Sequence, residues 1–234
     1  MNKIHFRNEL KYYISYFDYI KLRNVLKNTL PMDSNSNESG YLIRSLYFDD
    51  IFDSALYEKN AGIFNRKKFR IRIYNYSDEV IKLERKRKYN QNINKEDFTL
   101  SRNKYDSIMD GDVEFLKKSD NDVAKEFYYE YKSQWLRPKV LVDFKREAYI
   151  MKSGNVRITF DKELRASSNI NDMFQETVGR PMVPSDQLIL EVKFDEFLPD
   201  IIKRYLSMID KKSQAISKYV LCRQSIMNNE WRLV

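Results

Sequence analysis

The stretch Lys67-Lys68-Phe69-Arg70-Ile71-Arg72-Ile73-Tyr74 alternates strictly between apolar and basic side chains. A period of two marks a β-strand with two unlike faces. Phe69, Ile71 and Ile73 share one face, and Arg70 and Arg72, with Lys68 ahead of them, share the other. An unpaired guanidinium is too costly to desolvate for that second face to lie against hydrocarbon. It must meet water or an anion.

Several other segments repeat the pattern. A predicted strand over 4–14 carries Arg7, Glu9 and Lys11 on one parity, and one over 41–48 carries Arg44. After a turn at Ser77-Asp78, a strand over 80–89 sets Lys82, Glu84, Lys86 and Lys88 opposite Ile81 and Leu83. Arg85 and Arg87 fall on the apolar side of that strand, whose far end is therefore expected to be solvent-exposed. Strands over 139–149, 156–161 and 188–194 add Arg146, then Arg157 with Thr159 and Asp161, then Glu191 with Lys193.

Helices are predicted between them. One over 18–30 takes Asp18 as its N-cap and Ile20, Val25 and Leu26 as core contacts, and Pro31 stops it. A short one runs through Lys59 to Gly62, and another over 100–109 is capped by Ser101 or Thr99. The spacing of Phe127, Tyr131 and Trp135 predicts a helix over 123–136. Two more are expected over 199–208 and 213–227. Residues 90–95 read as a polar loop with a mobile tip, and 169–185 as irregular. Antiparallel strands interrupted by helices give an α+β class, with 1–234 as a single domain. Such a sheet is either open and half-solvated or closed into a barrel with a polar lumen.

The formal charge of +8 points to an anionic partner. A single cysteine, Cys222, excludes an intrachain disulfide and a cysteine-built zinc site, and its neighbours Val220 and Leu221 mark it as packing. No apolar run approaches the ~20 residues of a membrane span, and no secretory h-region follows Met1, so a cytoplasmic, soluble protein is expected. The only histidine, His5, shares the parity of Arg7 and Glu9 and is read as an incidental polar residue.

Together the charged faces offer Arg7, Lys11, Arg44, Arg70, Arg72, Lys82, Lys86, Arg146, Arg157 and Lys193, with Lys218 joining from the last helix. The matching acids are Glu9, Glu84 and Glu191, each two residues before a lysine. Glu-x-Lys sets carboxylate and ammonium on one strand face, about 7 Å apart. Closing the sheet would make these cations converge, and converging like charges require a polyanion between them. Arginine suits phosphate bidentately, and the few carboxylates suit Mg²⁺ or Mn²⁺ held jointly with phosphate oxygens.

In chain order the motifs are Arg7-x-Glu9-x-Lys11-Tyr12, Ile43-Arg44-Ser45-Leu46-Tyr47-Phe48-Asp49, Lys68-x-Arg70-x-Arg72-x-Tyr74, Glu84-x-Lys86, Arg146-Glu147-Ala148-Tyr149, Arg157-Ile158-Thr159-x-Asp161, Glu191-x-Lys193 and Ser217-Lys218-Tyr219. This ordered set, from Arg7 to about Arg223, resembles the catalytic domain of the vacuolar transporter chaperone (VTC) family of triphosphate tunnel metalloenzymes. The resemblance implies a closed, eight-stranded antiparallel barrel with flanking helices. It implies a polyphosphate polymerase that moves the γ-phosphate of ATP onto a growing chain. Lys11, Arg70, Arg72, Lys86, Arg146, Arg157, Lys193 and Lys218 would be the catalytic cations. Arg7, Arg44, Lys82 and Glu84, with Lys218 again, would assist in substrate binding. Glu191, with Glu9, would hold Mn²⁺ or Mg²⁺.

The chain departs from the wider superfamily at two points. Arg7 stands where many tunnel enzymes carry a first glutamate, which favours phosphate retention over two-metal hydrolysis. Phe144 replaces a tyrosine and removes a hydroxyl donor. The phosphate-sensing domain and membrane helices of eukaryotic members have no counterpart here, so a membrane or export partner would act in trans. Two rivals are weighed against polymerisation: a tripolyphosphate or nucleoside triphosphate hydrolase on the same scaffold, and a non-catalytic module binding polyphosphate or RNA. The second is disfavoured because nucleic-acid binders usually carry charge on helices or tails beside exposed aromatics. The Tyr and Phe residues here sit mostly at core parity.

Overall fold

The computed structural model describes residues 7–36, 38–89, 92–177, 179–182 and 186–230. His5 lies outside them, as do the first residues of the strand expected over 4–14.

The described strands are β1 (Asn8–Ser15), β2 (Tyr41–Asp49), β3 (Asn65–Tyr74), β4 (Ser77–Tyr89), β5 (Asn92–Leu100), β6 (Arg137–Met151), β7 (Val156–Ser167), β8 (Arg180–Pro181) and β9 (Gln187–Phe194). The helices are α1 (Tyr16–Thr29), α2 (Ser54–Asn60), α3 (Arg102–Met109), α4 (Glu114–Lys117), α5 (Asp122–Ser133), α6 (Asp200–Leu206) and α7 (Lys218–Glu230). Eight strands form one antiparallel sheet in the order β1-β9-β7-β6-β2-β3-β4-β5, and the two-residue β8 pairs with β7 alone. The first and last strands of that order also meet: Arg7, just ahead of β1, makes an antiparallel bridge to Ile93 of β5.

The apolar parities pack where the alternation puts them. Phe69, Ile71, Ile73, Ile81 and Leu83 lie under Tyr105 and Ile108 of α3 and Phe127 and Tyr131 of α5. Tyr12, Ile14, Ile158, Leu190 and Val192 lie under Tyr19, Leu22 and Leu26 of α1 and Ile202 of α6. A third cluster joins Ile43, Val142 and Phe144 to Ile216, Tyr219 and Val220. Cys222 is fully buried within it, as a packing residue should be.

Several local expectations need correction. Ser15, not Asp18, caps α1: Ser15 Oγ accepts from the Asp18 amide at 3.1 Å, while the Asp18 carboxylate accepts from the Ser15 amide at 3.3 Å. The helix thus starts earlier, which turns Tyr19, Leu22 and Leu26 inward and leaves Ile20 exposed and Val25 half-buried. The β3–β4 turn is Asn75-Tyr76, both at positive φ, because a two-residue connection matching strand twist needs that backbone. Trp135 is 59% exposed, since α5 ends before it.

Arg85 is not solvated. It is buried between Glu126 of α5 and Glu96 of β5, which supply the charge that an apolar parity lacks. Residues 92–95 of the expected loop belong to β5, and 90–91 lie outside the described residues. Residues 213–217 are not helical, and the Gln214 amide donates to the Lys11 carbonyl at 2.8 Å. No described helix is long and apolar enough to cross a membrane.

Candidate active site

One cavity of about 740 Å³ takes side chains from β1, β2, β3, β4, β5, β6, β7, β9, α2 and α7. Among the described residues, fourteen lysines and arginines line it against two carboxylates, Glu9 and Glu191. Lys11, Arg70, Arg72, Lys86, Arg146, Arg157, Lys193 and Lys218 all reach it, as do Arg7, Glu9 and Glu191.

The centre follows from strand register. β1 and β9 run antiparallel with Glu9 opposite Lys193 and Lys11 opposite Glu191. Two Glu-x-Lys repeats so aligned put each carboxylate beside ammonium groups on both strands. Lys86 Nζ donates to the two Glu9 oxygens at 3.2 and 3.0 Å, and Lys11 lies 3.3 Å from the same carboxylate. Lys193 lies 2.8 Å from Glu191 and 3.6 Å from Glu9. Burial and the adjacent Glu191 push Glu9 up, but Lys86, Lys11 and Lys193 outweigh them, and its carboxyl lies below the usual range. Burial likewise opposes ionisation of Glu191, yet Lys193, Lys11 and Lys218 hold it well below the usual range. Both acids are therefore ionised acceptors at neutral pH.

A second layer orients the arginines. Arg146 makes a bidentate pair with Asp161, at 2.6 and 2.8 Å, and Lys218 reaches the same carboxylate at 2.5 Å. Burial opposes ionisation of Asp161, but Arg146 and Lys218 bring it down to about 2. Arg70 donates to Glu84 at 2.6 Å and to the Tyr47 hydroxyl at 2.8 Å. Among the described residues Arg72 has Ser45 Oγ at 3.1 Å and Glu84 at 3.8 Å, and burial with Arg70 beside it pushes its guanidinium down. Arg157 reaches the Tyr41 hydroxyl and Asp33, both at 3.2 Å.

Three expected binding residues do not line the cavity. Arg44 points to the opposite side of β2, where Asp143 takes it bidentately at 2.8 and 2.6 Å. Its remaining N–H groups go to the carbonyls of Asp172, Gln175 and Thr177. With its donors so occupied, it has no reach toward a phosphate. Lys82 is spent on Asp97 of β5 at 3.0 Å. Glu84 is fully buried under Arg70, Arg72 and Lys95, so it positions those cations and does not touch a ligand.

The cavity also contains cations outside the expected site: Lys59, Arg66 and Lys95, together with Lys68 and Lys88, which the alternation places on charged strand faces but which are not among the expected site residues. Lys68 and Lys88 share parity with Arg70 and Lys86, so the signal for them was present. Lys95 was hidden by the unrecognised strand β5, and Lys59 arrives on a helix, where strand parity says nothing.

The donor set fits a hard divalent cation in part. Glu9 and Glu191 are two neighbouring ionised carboxylates, suited to a cation that takes its other oxygens from phosphate and water. Among the described residues no group of three or more His, Cys, Asp or Glu side chains stands ready for a metal.

Solved structures of similar shape include a protein from Pyrococcus horikoshii, at 15% identity over 92% of this chain and 97% of that one, with a TM-score of 0.49. A putative adenylate cyclase from Bacillus halodurans matches at 13% identity over 87% of each chain, also at 0.49. The Mimivirus capping enzyme triphosphatase matches at 14% over 88% of each, at 0.44. Likeness at this level says nothing about activity. No curated protein matches the chain. The VTC domain family model, however, matches residues 6–227, nearly the full length, and the chain belongs to the VTC domain family.

Proposed function

We propose that this chain is a metal-dependent polyphosphate polymerase acting as a single tunnel domain. The observation that carries the reading is the charge imbalance of the cavity, fourteen cations against two acids among the described residues, in a member of the VTC domain family. Linear phosphate is the ligand class that supplies dense negative charge in a form narrow enough to lie along such a cavity. The Arg7–Ile93 bridge supports closure of the eight strands around it.

ATP and the growing chain would be gripped in line. A terminal oxygen of the chain attacks the γ-phosphorus, the bond from the γ-phosphorus to the β–γ bridging oxygen breaks, and ADP leaves with that oxygen. Arg70, Arg72, Arg146 and Arg157 hold non-bridging oxygens, and Lys11, Lys86, Lys193 and Lys218 neutralise the charge that spreads over the transferring group. Positioning and fixed charge supply the rate, and no side chain needs to be phosphorylated. Glu9 and Glu191 would hold Mg²⁺ or Mn²⁺, which when bound adds charge neutralisation at the phosphate oxygens. Asp161, Glu84 and Tyr47 keep the arginines in place.

The test is incubation of the protein with ATP and Mn²⁺ or Mg²⁺, with products sized on a gel. A ladder of chains is expected. Orthophosphate without chains would assign hydrolysis on the same site. Oligonucleotide binding without turnover would assign a binding module.

A further inference from the structure

The cations of the cavity are not neutralised evenly. Around Glu9 and Glu191 every lysine has a carboxylate within 4 Å. At the end where β3 begins and β4 ends, the ladder sets Arg66 opposite Lys88 and Lys68 opposite Lys86, and α2 brings Lys59 to the same place. No ion pair ties Lys59, Arg66, Lys68 or Lys88 to a carboxylate among the described residues.

Lys68 is the extreme case. Its Nζ is buried and makes no hydrogen bond among the described residues, and it sits 4.6 Å from the centre of the Tyr219 ring. The groups facing it are Asp49 from β2, Lys59 from α2, Arg66 on its own strand, Lys86 from β4 and Tyr219 from α7. Asp49 does not neutralise it by contact. That carboxylate accepts from the Tyr219 hydroxyl at 2.5 Å and from the amides of Asp50, Ala55 and Leu56. Burial, reinforced by Arg66, Lys59 and Lys86 and opposed by Asp49, pushes the ammonium down to about 7. A buried cation without an acceptor is a position waiting for one.

We infer that Lys59, Arg66, Lys68 and Lys88 form an anion subsite, apart from the Glu9–Glu191 centre, that takes up a phosphate group of the chain together with a proton. The inference rests on the reading of the cavity as a linear-phosphate site. Above neutral pH the free protein carries Lys68 as the amine. An arriving phosphate oxygen supplies both an acceptor and negative charge, and Nζ gains a proton from solvent. The subsite therefore grips more tightly as pH falls toward 7, and the free cavity carries less self-repulsion than its lysine count suggests.

Isothermal titration of a polyphosphate long enough to fill the cavity tests this. It is run on the full chain at pH 8, without divalent cation, in two buffers of different ionisation enthalpy, to read the protons taken up. The wild type is expected to take up about one proton more than Lys68→Arg or Lys68→Met. Lys68→Arg should still bind, since its charge is permanent, whereas Lys68→Met should bind several-fold more weakly. Protons exchanged by Lys86 or by the ends of the polyphosphate are common to all three and cancel in the difference. Equal uptake in all three with binding preserved overturns the subsite and leaves the cavity reading intact. Absence of binding in all three overturns both. If one variant fails to fold, the other decides against the wild type: the difference of about one proton at pH 8 should vanish at about pH 6, where Lys68 already carries its proton, and no difference at pH 8 overturns the inference.

Discussion

Arg44 and Arg72 lie on neighbouring strands, one register step apart, and both are buried, at 1% and 6% exposure. Arg44 has a bidentate carboxylate and three carbonyls. Arg72 has a serine hydroxyl and a share of a carboxylate already held by Arg70 and Lys95. One is a finished ion pair that fastens the loop after β7 to the sheet. The other is held short of neutrality on the cavity side. Burial alone does not separate a structural cation from a binding one; the difference lies in how many acceptors the protein itself supplies.

The sharpest way to break this comparison is to remove each arginine. Arg44→Met strands Asp143 as an uncompensated buried charge and should cost about 3–5 kcal/mol in urea unfolding. Arg72→Met should leave stability unchanged or raise it, while phosphate transfer falls on the order of 10²–10³-fold. A stability loss at Arg72 as large as that at Arg44 would erase the distinction. Lys193→Ala and Arg70→Ala should likewise abolish turnover with the fold retained, as circular dichroism can show.

An added polyanion supplies the missing acceptors. At a hundredfold excess over its Kd, polyphosphate should add about 2.7 kcal/mol of stability, read as a rise in melting temperature that high salt diminishes. An equal rise in Arg44→Met and a reduced one in Arg72→Met would sharpen the contrast.

The two sides also differ in pH response. Lys68 is pushed down to about 7, so above that pH the unfolded chain binds a proton that the folded chain does not. Stability of the free protein should therefore rise from about pH 7 toward the ordinary lysine range, with a slope of up to about 1.4 kcal/mol per pH unit from this group. Asp161 works at the other end. Its folded form is held at about 2, so its contribution is present above the ordinary aspartate range and is lost as pH falls toward 2, amounting to about 2 kcal/mol. Chemical unfolding across pH checks both: Lys68→Met should reduce the alkaline rise, leaving the share from Lys86, which burial pushes down to about 8, and should leave the acid limb unchanged. The smallest effect is expected at Tyr47→Phe, which removes one hydroxyl from Arg70. Transfer should drop by about fivefold, equivalent to about 1 kcal/mol.

Much of the cavity was legible because period two is a local property. Parity on β1, β3, β4, β7 and β9 sorted Glu9 and Lys11, Arg70 and Arg72, Lys86, Arg157, and Glu191 and Lys193 onto the correct side. Parity misled at β2, where Ile43 to Asp49 are buried on both faces and Arg44 has an acid waiting on the side away from the cavity. β5 escaped notice because its residues, Asn92 to Asp97 above all, have weak strand propensity. It is held by charges across the ladder: Lys82 to Asp97, Lys95 to Glu84 and Arg85 to Glu96. Missing that strand hid Lys95 and made Arg85 look solvated.

By itself the sequence determined the antiparallel α+β class, the surplus of cations over acids and, through strand parity, the side on which most of them stand. Only the tertiary structure decided which cations are left in want of an acceptor. Arg44 meets Asp143, Arg146 meets Asp161 and Lys218 meets the same aspartate across many residues of chain. Coulomb attraction depends on distance in space and on burial, neither of which is written in the local order of residues.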